Sequence, residues 1–163
     1  MQLSGILPTF PKEIKLLIGS FLIVLSIGFF TGLLFVENTT SFKPGGIEEN
    51  YNGNEHIEDA DVMKFKKSEK EMLTTVHSHI LSMSLIFFLT GIILSTTRLN
   101  HHLKLFLMVE PFFSVVFTFG GIYFLWKGLE WMKYIVMFSG TLMTLSFSIT
   151  VLIILIQLLR EAH

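Results

Sequence analysis

The chain has 163 residues, 51% hydrophobic and only 15% charged, with 17 Phe, a formal net charge of -1 and a mean hydropathy of +0.63. A soluble domain of this size needs more polar cover, so the composition describes a membrane protein, and nucleic acid is not expected among its partners. The absence of cysteine excludes disulfides, thiolate metal ligands, haem attachment through C-x-x-C-H and cysteine nucleophiles.

Four stretches meet the roughly 20 mostly apolar residues a helix needs to cross a bilayer: about 14–36, 75–97, 104–126 and 134–157. Lys12 and Lys15 open the first like a secretory signal. The run from Ile14 to Val36 is too long for one, however, and no small-x-small cleavage pattern follows, so a retained helix is expected. Residues 37–71 form the one sizeable loop, holding nine of the thirteen acidic residues. Pro44-Gly45-Gly46 and Asn52-Gly53-Asn54 punctuate it as turn formers. The stretch from Gly46 to Glu55 is too ordered in its turn chemistry for a plain linker, and a docking surface is the expected role. Glu58, Asp59 and Asp61 have the chemistry of calcium ligands but lack EF-hand spacing.

Ser68-Glu69-Lys70-Glu71 matches a capping box, in which the Ser hydroxyl and the Glu carboxylate satisfy the free N–H groups of a helix start. The second helix therefore begins near Glu69, and His77 and His79 lie just inside the membrane on the side of the loop, here called the loop face. Ionisable side chains within a span are costly and usually serve a site. His79 stands roughly 10 Å from the middle of its span. Gly28 and Gly32, Gly120 and Gly121, and Gly140 fall at comparable depth on the other three spans, leaving room for a flat group such as a porphyrin or quinone head. Small residues at four-residue spacing also let membrane helices pack closely with no ligand at all. The histidines point about 200° apart, so only one faces inward. His79, on a stripe with Ser82, Met83 and Ile86, is the preferred one.

No other span has a histidine at that depth. A second axial ligand to haem b would come from Met137, Met143, His56 or a partner. Copper near Met72, Met83 and Met137 is an alternative suited to soft ligands, and a quinone is another. Glu110 is the one carboxylate inside a span, beside Pro111, which frees or distorts backbone groups. It reads either as a proton relay or as a partner for Thr90, Ser95, Thr150 or Gln157. At roughly 18 Å from His79 along the membrane normal, it belongs to no common mononuclear site. His101 and His102, beside Arg98 and Lys104, suit an interface with anionic lipid. Tyr123, Trp126, Trp131 and Tyr134 read as an interfacial aromatic belt, with a cofactor edge as the alternative.

The expected fold is a single all-α integral membrane domain over residues 1–163: a four-helix up-down-up-down bundle with one acidic extramembrane loop. Five basic residues on the terminal side against seven on the loop face favour a cytoplasmic loop when counted literally. The first helix, with two lysines before it, favours cytoplasmic termini and a periplasmic loop, and this orientation is adopted. Two Ala against abundant Ile, Phe, Lys and Asn fit an AT-rich bacterial genome.

The pattern Gly46-Ile47-Glu48 through Tyr51-Asn52-Gly53, followed by Leu73-Thr74-Thr75-Val76-His77-Ser78-His79, resembles a family of small four-helix bacterial membrane proteins that accompany c-type cytochromes and respiratory components. The resemblance covers about residues 15–155. It implies an inner-membrane subunit near electron transfer, with a periplasmic loop and cytochromes or other membrane subunits as partners. Without a haem-attachment motif, the chain would hold haem b or a quinone through His77 or His79, or would be a non-catalytic accessory subunit. No nucleophile, base and orienter triad appears, so independent catalysis is not expected. One intramembrane carboxylate and no inverted repeat argue against a transporter.

Overall fold

The computed structural model describes residues 5–55 and 62–159, and these are almost entirely helical. Four helices are long and apolar enough to span a bilayer. The first is α1 (Lys12–Thr40) and the second is α3 (Glu69–Ser95). The third is α4 (His101–Val115), continued by a π turn (Val116–Gly120) and by α5 (Gly121–Trp126), and the fourth is α6 (Met132–Leu158). Between α1 and α3 lies a short helix, α2 (Pro44–Asn52). This is the four-helix membrane bundle expected.

The four spans share burial unequally. The best apolar window is 50% buried in α4–α5 and 44% in α6, but 22% in α3 and 17% in α1. The core is therefore the hairpin of α4–α5 and α6, with α3 against one flank. On α1, Leu22 and Phe29 turn inward, and Phe29 stacks on Phe147 of α6 at 4.0 Å between ring centroids with planes 14° apart. Phe87 of α3 meets the same ring edge-on at 6.4 Å. The remaining apolar surface of α1 and α3 faces outward, as lipid-facing helices require.

The terminal face is closed by polar crosslinks. Thr96 O accepts from Gly5 N (3.0 Å) and Leu7 N (3.1 Å), which seats fully buried Leu7 under the bundle. The Gln157 amide bonds both backbone groups of Arg98, accepting from its N–H at 2.7 Å and donating to its carbonyl at 2.9 Å. Lys104 donates to Ser95 O and Thr97 O at 3.2 and 2.6 Å, placing positive charge at the C-terminal end of α3 where free carbonyls gather.

The third span is irregular for a reason its residues carry. Glu110, Ser114, Thr118, Ile122 and Trp126 are all buried, at a spacing of four. An α-helix has 3.6 residues per turn, so such a stripe drifts about 40° each turn. The π turn adds a residue, absorbs about 100° of that drift, and keeps the stripe on α6.

Candidate functional site

The loop face is built by residues 40–55 and 62–72 folding back over the hairpin. Ser41 and Phe42 close α1 in the left-handed region, at φ 52° and 50°, and reverse the chain into α2. Gly46 then passes so close to α1 that a methyl there would stand 2.0 Å from Thr40 O. Gly53 has φ +82° and backbone from Lys64 to Lys66 packed against it, a conformation and a space that suit glycine. Asn54 Oδ1 accepts from Lys64 N at 2.6 Å, Asn54 Nδ2 donates to Val62 O at 3.0 Å, and Asn52 Nδ2 donates to Leu125 O at 3.0 Å. Glu48 pairs with Lys133 at 2.7 Å, both partly buried. The motif from Gly46 to Asn54 therefore latches the loop onto its own bundle. Glu58, Asp59, Asp61 and His56 lie outside the described residues.

The aromatic group divides in two. Trp126 is 8% exposed and its Nε1–H donates to Lys67 O at 2.8 Å. Lys127 and Lys66 lie over its ring at 4.6 and 5.3 Å, and Tyr123 packs beside it at 5.8 Å. Trp131 and Tyr134 face outward, as belt residues do. Burial pushes the Tyr51 phenol above its usual range, the bond from Asn50 opposing this in part.

Helix α3 starts at the capping box: Ser68 N donates to Glu71 Oε2 at 2.8 Å and Glu71 N to Ser68 Oγ at 3.3 Å. Beside its first turns an open depression of about 490 Å³ is lined by Lys67, Lys70, Glu71, Thr74 and Thr75. Two turns deeper, His77 and His79 are both exposed on the flank of the bundle. His79 packs against Phe119 of the π turn, 4.7 Å between centroids and 33° between planes. Phe119 lies about two turns, roughly 10 Å, beyond the interfacial Trp126, so His79 stands at membrane depth. Its Nδ1 is 2.8 Å from Thr75 O. A carbonyl only accepts, so Nδ1 carries the proton, and in the neutral ring Nε2 keeps its lone pair. That is the arrangement of a metal-binding imidazole, oriented by a backbone carbonyl behind it. Of the two residues that set this geometry, Thr75 is foreseen only as part of the Leu73–His79 pattern and Phe119 not at all.

The five glycines have unlike surroundings. Gly28 and Gly32 are exposed on α1 with open space beside them. Gly121 seats α5 on α6, where a methyl would stand 2.8 Å from Val136 Cγ2. A methyl on Gly140 would make ordinary contact with Thr118 at 3.8 Å, and one on Gly120 would meet open space. Met72 and Met143 are buried in the core, and Met137 is 40% exposed. Among the described residues no three His, Asp or Glu side chains gather closely enough to hold a metal ion.

Glu110, 8% exposed, accepts hydrogen bonds from Ser114 of its own helix and Ser146 of α6. One turn along α6, Thr150 Oγ1 is buried without a partner among the described residues. Thr118 and Ser139 bond at 2.8 Å further toward the loop face. The carboxyl thus lies in a polar seam between the third and fourth spans, well apart from the histidines. His101 and His102 are exposed at the start of α4, with ring centroids 5.7 Å apart.

Comparison with curated proteins and with solved structures found no match. A family model described as a transmembrane helical domain matches residues 41–163, from the end of α1 through α6, and the chain belongs to that family.

Proposed function

We propose that this chain is a membrane subunit of a respiratory electron-transfer assembly that presents His79 as a pre-oriented imidazole ligand for haem b on the flank of α3. The observation that carries the ligand reading is the Nδ1 bond to Thr75 O, which leaves the Nε2 lone pair outward. A neutral imidazole in this tautomer accepts at Nε2 and does not donate, so it fits iron better than the carbonyl of a quinone, which needs a donor. The resemblance of the Gly46–Gly53 and Leu73–His79 patterns to membrane proteins that accompany cytochromes supports the respiratory setting.

Among the described residues one chain offers one such nitrogen at this depth, so a six-coordinate haem would take its other axial ligand from a second polypeptide. Haem b supplies one-electron transfer when bound. Thr75 holds the His79 ring in place, Phe119 shields one side of it, and the latched loop keeps the top of α3 fixed against Trp126.

The second reading is a non-catalytic accessory subunit. Its support is the extent of apolar surface that α1 leaves outward, which suits a neighbour in the membrane as well as lipid. Protein purified in mild detergent distinguishes the two. Haem b gives a Soret band with iron bound to the chain, whereas colourless, iron-free protein that co-purifies with a larger complex leaves only the accessory role.

A further inference from the structure

In its first turns the outward surface of α3 carries a polar stripe, beside exposed Leu73, Leu81 and Leu85, where a lipid-facing helix is normally apolar throughout. Lys70, Thr74, His77, Ser78, His79 and Ser82 are all exposed. The hydroxyls of Thr74, Ser78 and Ser82 donate back to the carbonyls of Lys70, Thr74 and Ser78, at 2.8, 2.6 and 2.7 Å, and so need no neighbour. The imidazoles do: Nε2 of His79 points away from its helix, and among the described residues His77 has no hydrogen bond or ring partner. Leaving two imidazoles against hydrocarbon is costly, so this face calls for polar protein cover.

We propose that a second copy of the chain covers it, α3 against α3, about a two-fold axis along the membrane normal. Two copies inserted in the same orientation are brought to the same depth, and a two-fold pairs the residues nearest its axis with their own copies. Thr74, Ser78 and Ser82 recur every four residues, the small-xxx-small spacing that lets two membrane helices cross closely. His79, with its Nδ1 proton given to Thr75 O, offers an acceptor at Nε2, and a neutral His77, unbonded among the described residues, offers one donor and one acceptor. At the top of the helix Lys70 lacks a carboxylate partner among the described residues, while Glu71 is exposed beside it. Across the axis, Lys70 of one copy and Glu71 of the other stand at similar height with opposite charge. The dimer rests on the α3 surface alone and not on the ligand reading above.

The chain has no cysteine, so single thiols report the contact without background. Oxidative crosslinking in native membranes should give covalent dimers for Ser78→Cys and Ser82→Cys. The outward-facing controls Val24→Cys on α1 and Leu152→Cys on α6 should give none. In detergent, Ser78→Phe should weaken self-association by about tenfold or more, with helix content unchanged. Crosslinking at the controls as efficient as on α3, adducts only with a different polypeptide, or monomers throughout would overturn the proposal. A dimer without a Soret band keeps it and removes the haem reading, and a haem-bearing monomer does the reverse.

Discussion

Neighbouring glycines in α2 should respond in opposite directions to the same substitution. In Gly46→Ala the new methyl would meet Thr40 O at 2.0 Å and Thr40 C at 2.7 Å, roughly 1 Å or more inside van der Waals contact. The obstacle is backbone, so α2 must lift from α1 and loosen the Glu48–Lys133 pair and the Asn52 bond to Leu125. Overpacking of this kind costs about 1–3 kcal/mol, and losing the latch adds to it. Replacing a helical glycine by alanine returns up to about 1 kcal/mol, leaving a net loss of about 1–3 kcal/mol. Gly45 has nothing within 4 Å of its added Cβ, so Gly45→Ala keeps only the gain, about 0.5–1 kcal/mol. Reversible unfolding in mixed micelles, followed by tryptophan fluorescence, compares the two, with Trp126 reporting beneath the latch. Equal effects of one sign, or a Gly46→Ala protein as stable as the wild type, would refute the packing of α2 on α1.

In the polar seam, Glu110→Ala removes the acceptor for two hydroxyls and leaves a cavity, for an expected loss of about 2–3 kcal/mol. Glu110→Gln retains an acceptor oxygen and should lose under about 1 kcal/mol; the same unfolding assay reads both. For Tyr51, burial raises the folded-state pKa above the unfolded value near 10. Its contribution is therefore complete below about pH 10 and is lost as pH rises through the higher folded-state value. Stability measured from neutral to strongly alkaline pH should fall less steeply in Tyr51→Phe than in the wild type. Parallel profiles would show that this phenol is not linked to folding.

Hydropathy placed the four spans within a few residues, since each needs an unbroken apolar length, and Ser68-Glu69-Lys70-Glu71 gave the start of α3 because a capping box is local in sequence. The helical character of α2 was hidden. Pro44-Gly45-Gly46 reads as a turn, yet Pro44 stands in the first turn of a helix, where proline is favoured. Gly46 serves close approach to Thr40, a contact between elements that local chemistry does not signal. The outer position of α1 was hidden too, because a helix apolar on all sides has no stripe to mark its buried face. At Glu110, the partner Ser114 is four residues away on the same helix, whereas Ser146 depends on the register of α4 against α6. That spacing of four from Glu110 to Trp126 was the available sign of the π turn. His77 and His79 were legible as unusual, but which nitrogen of His79 bears a proton depends on Thr75 O.

The most direct test of the account is the visible spectrum and iron content of protein extracted in mild detergent, measured for the wild type, His79→Ala and His77→Ala. The wild type should show a Soret band that His79→Ala abolishes at unchanged helix content. His77→Ala should retain it, because His77 has no carbonyl fixing its tautomer among the described residues. A wild-type preparation without absorbance or iron, or a band that survives His79→Ala, would contradict the assignment of His79 as the ligand.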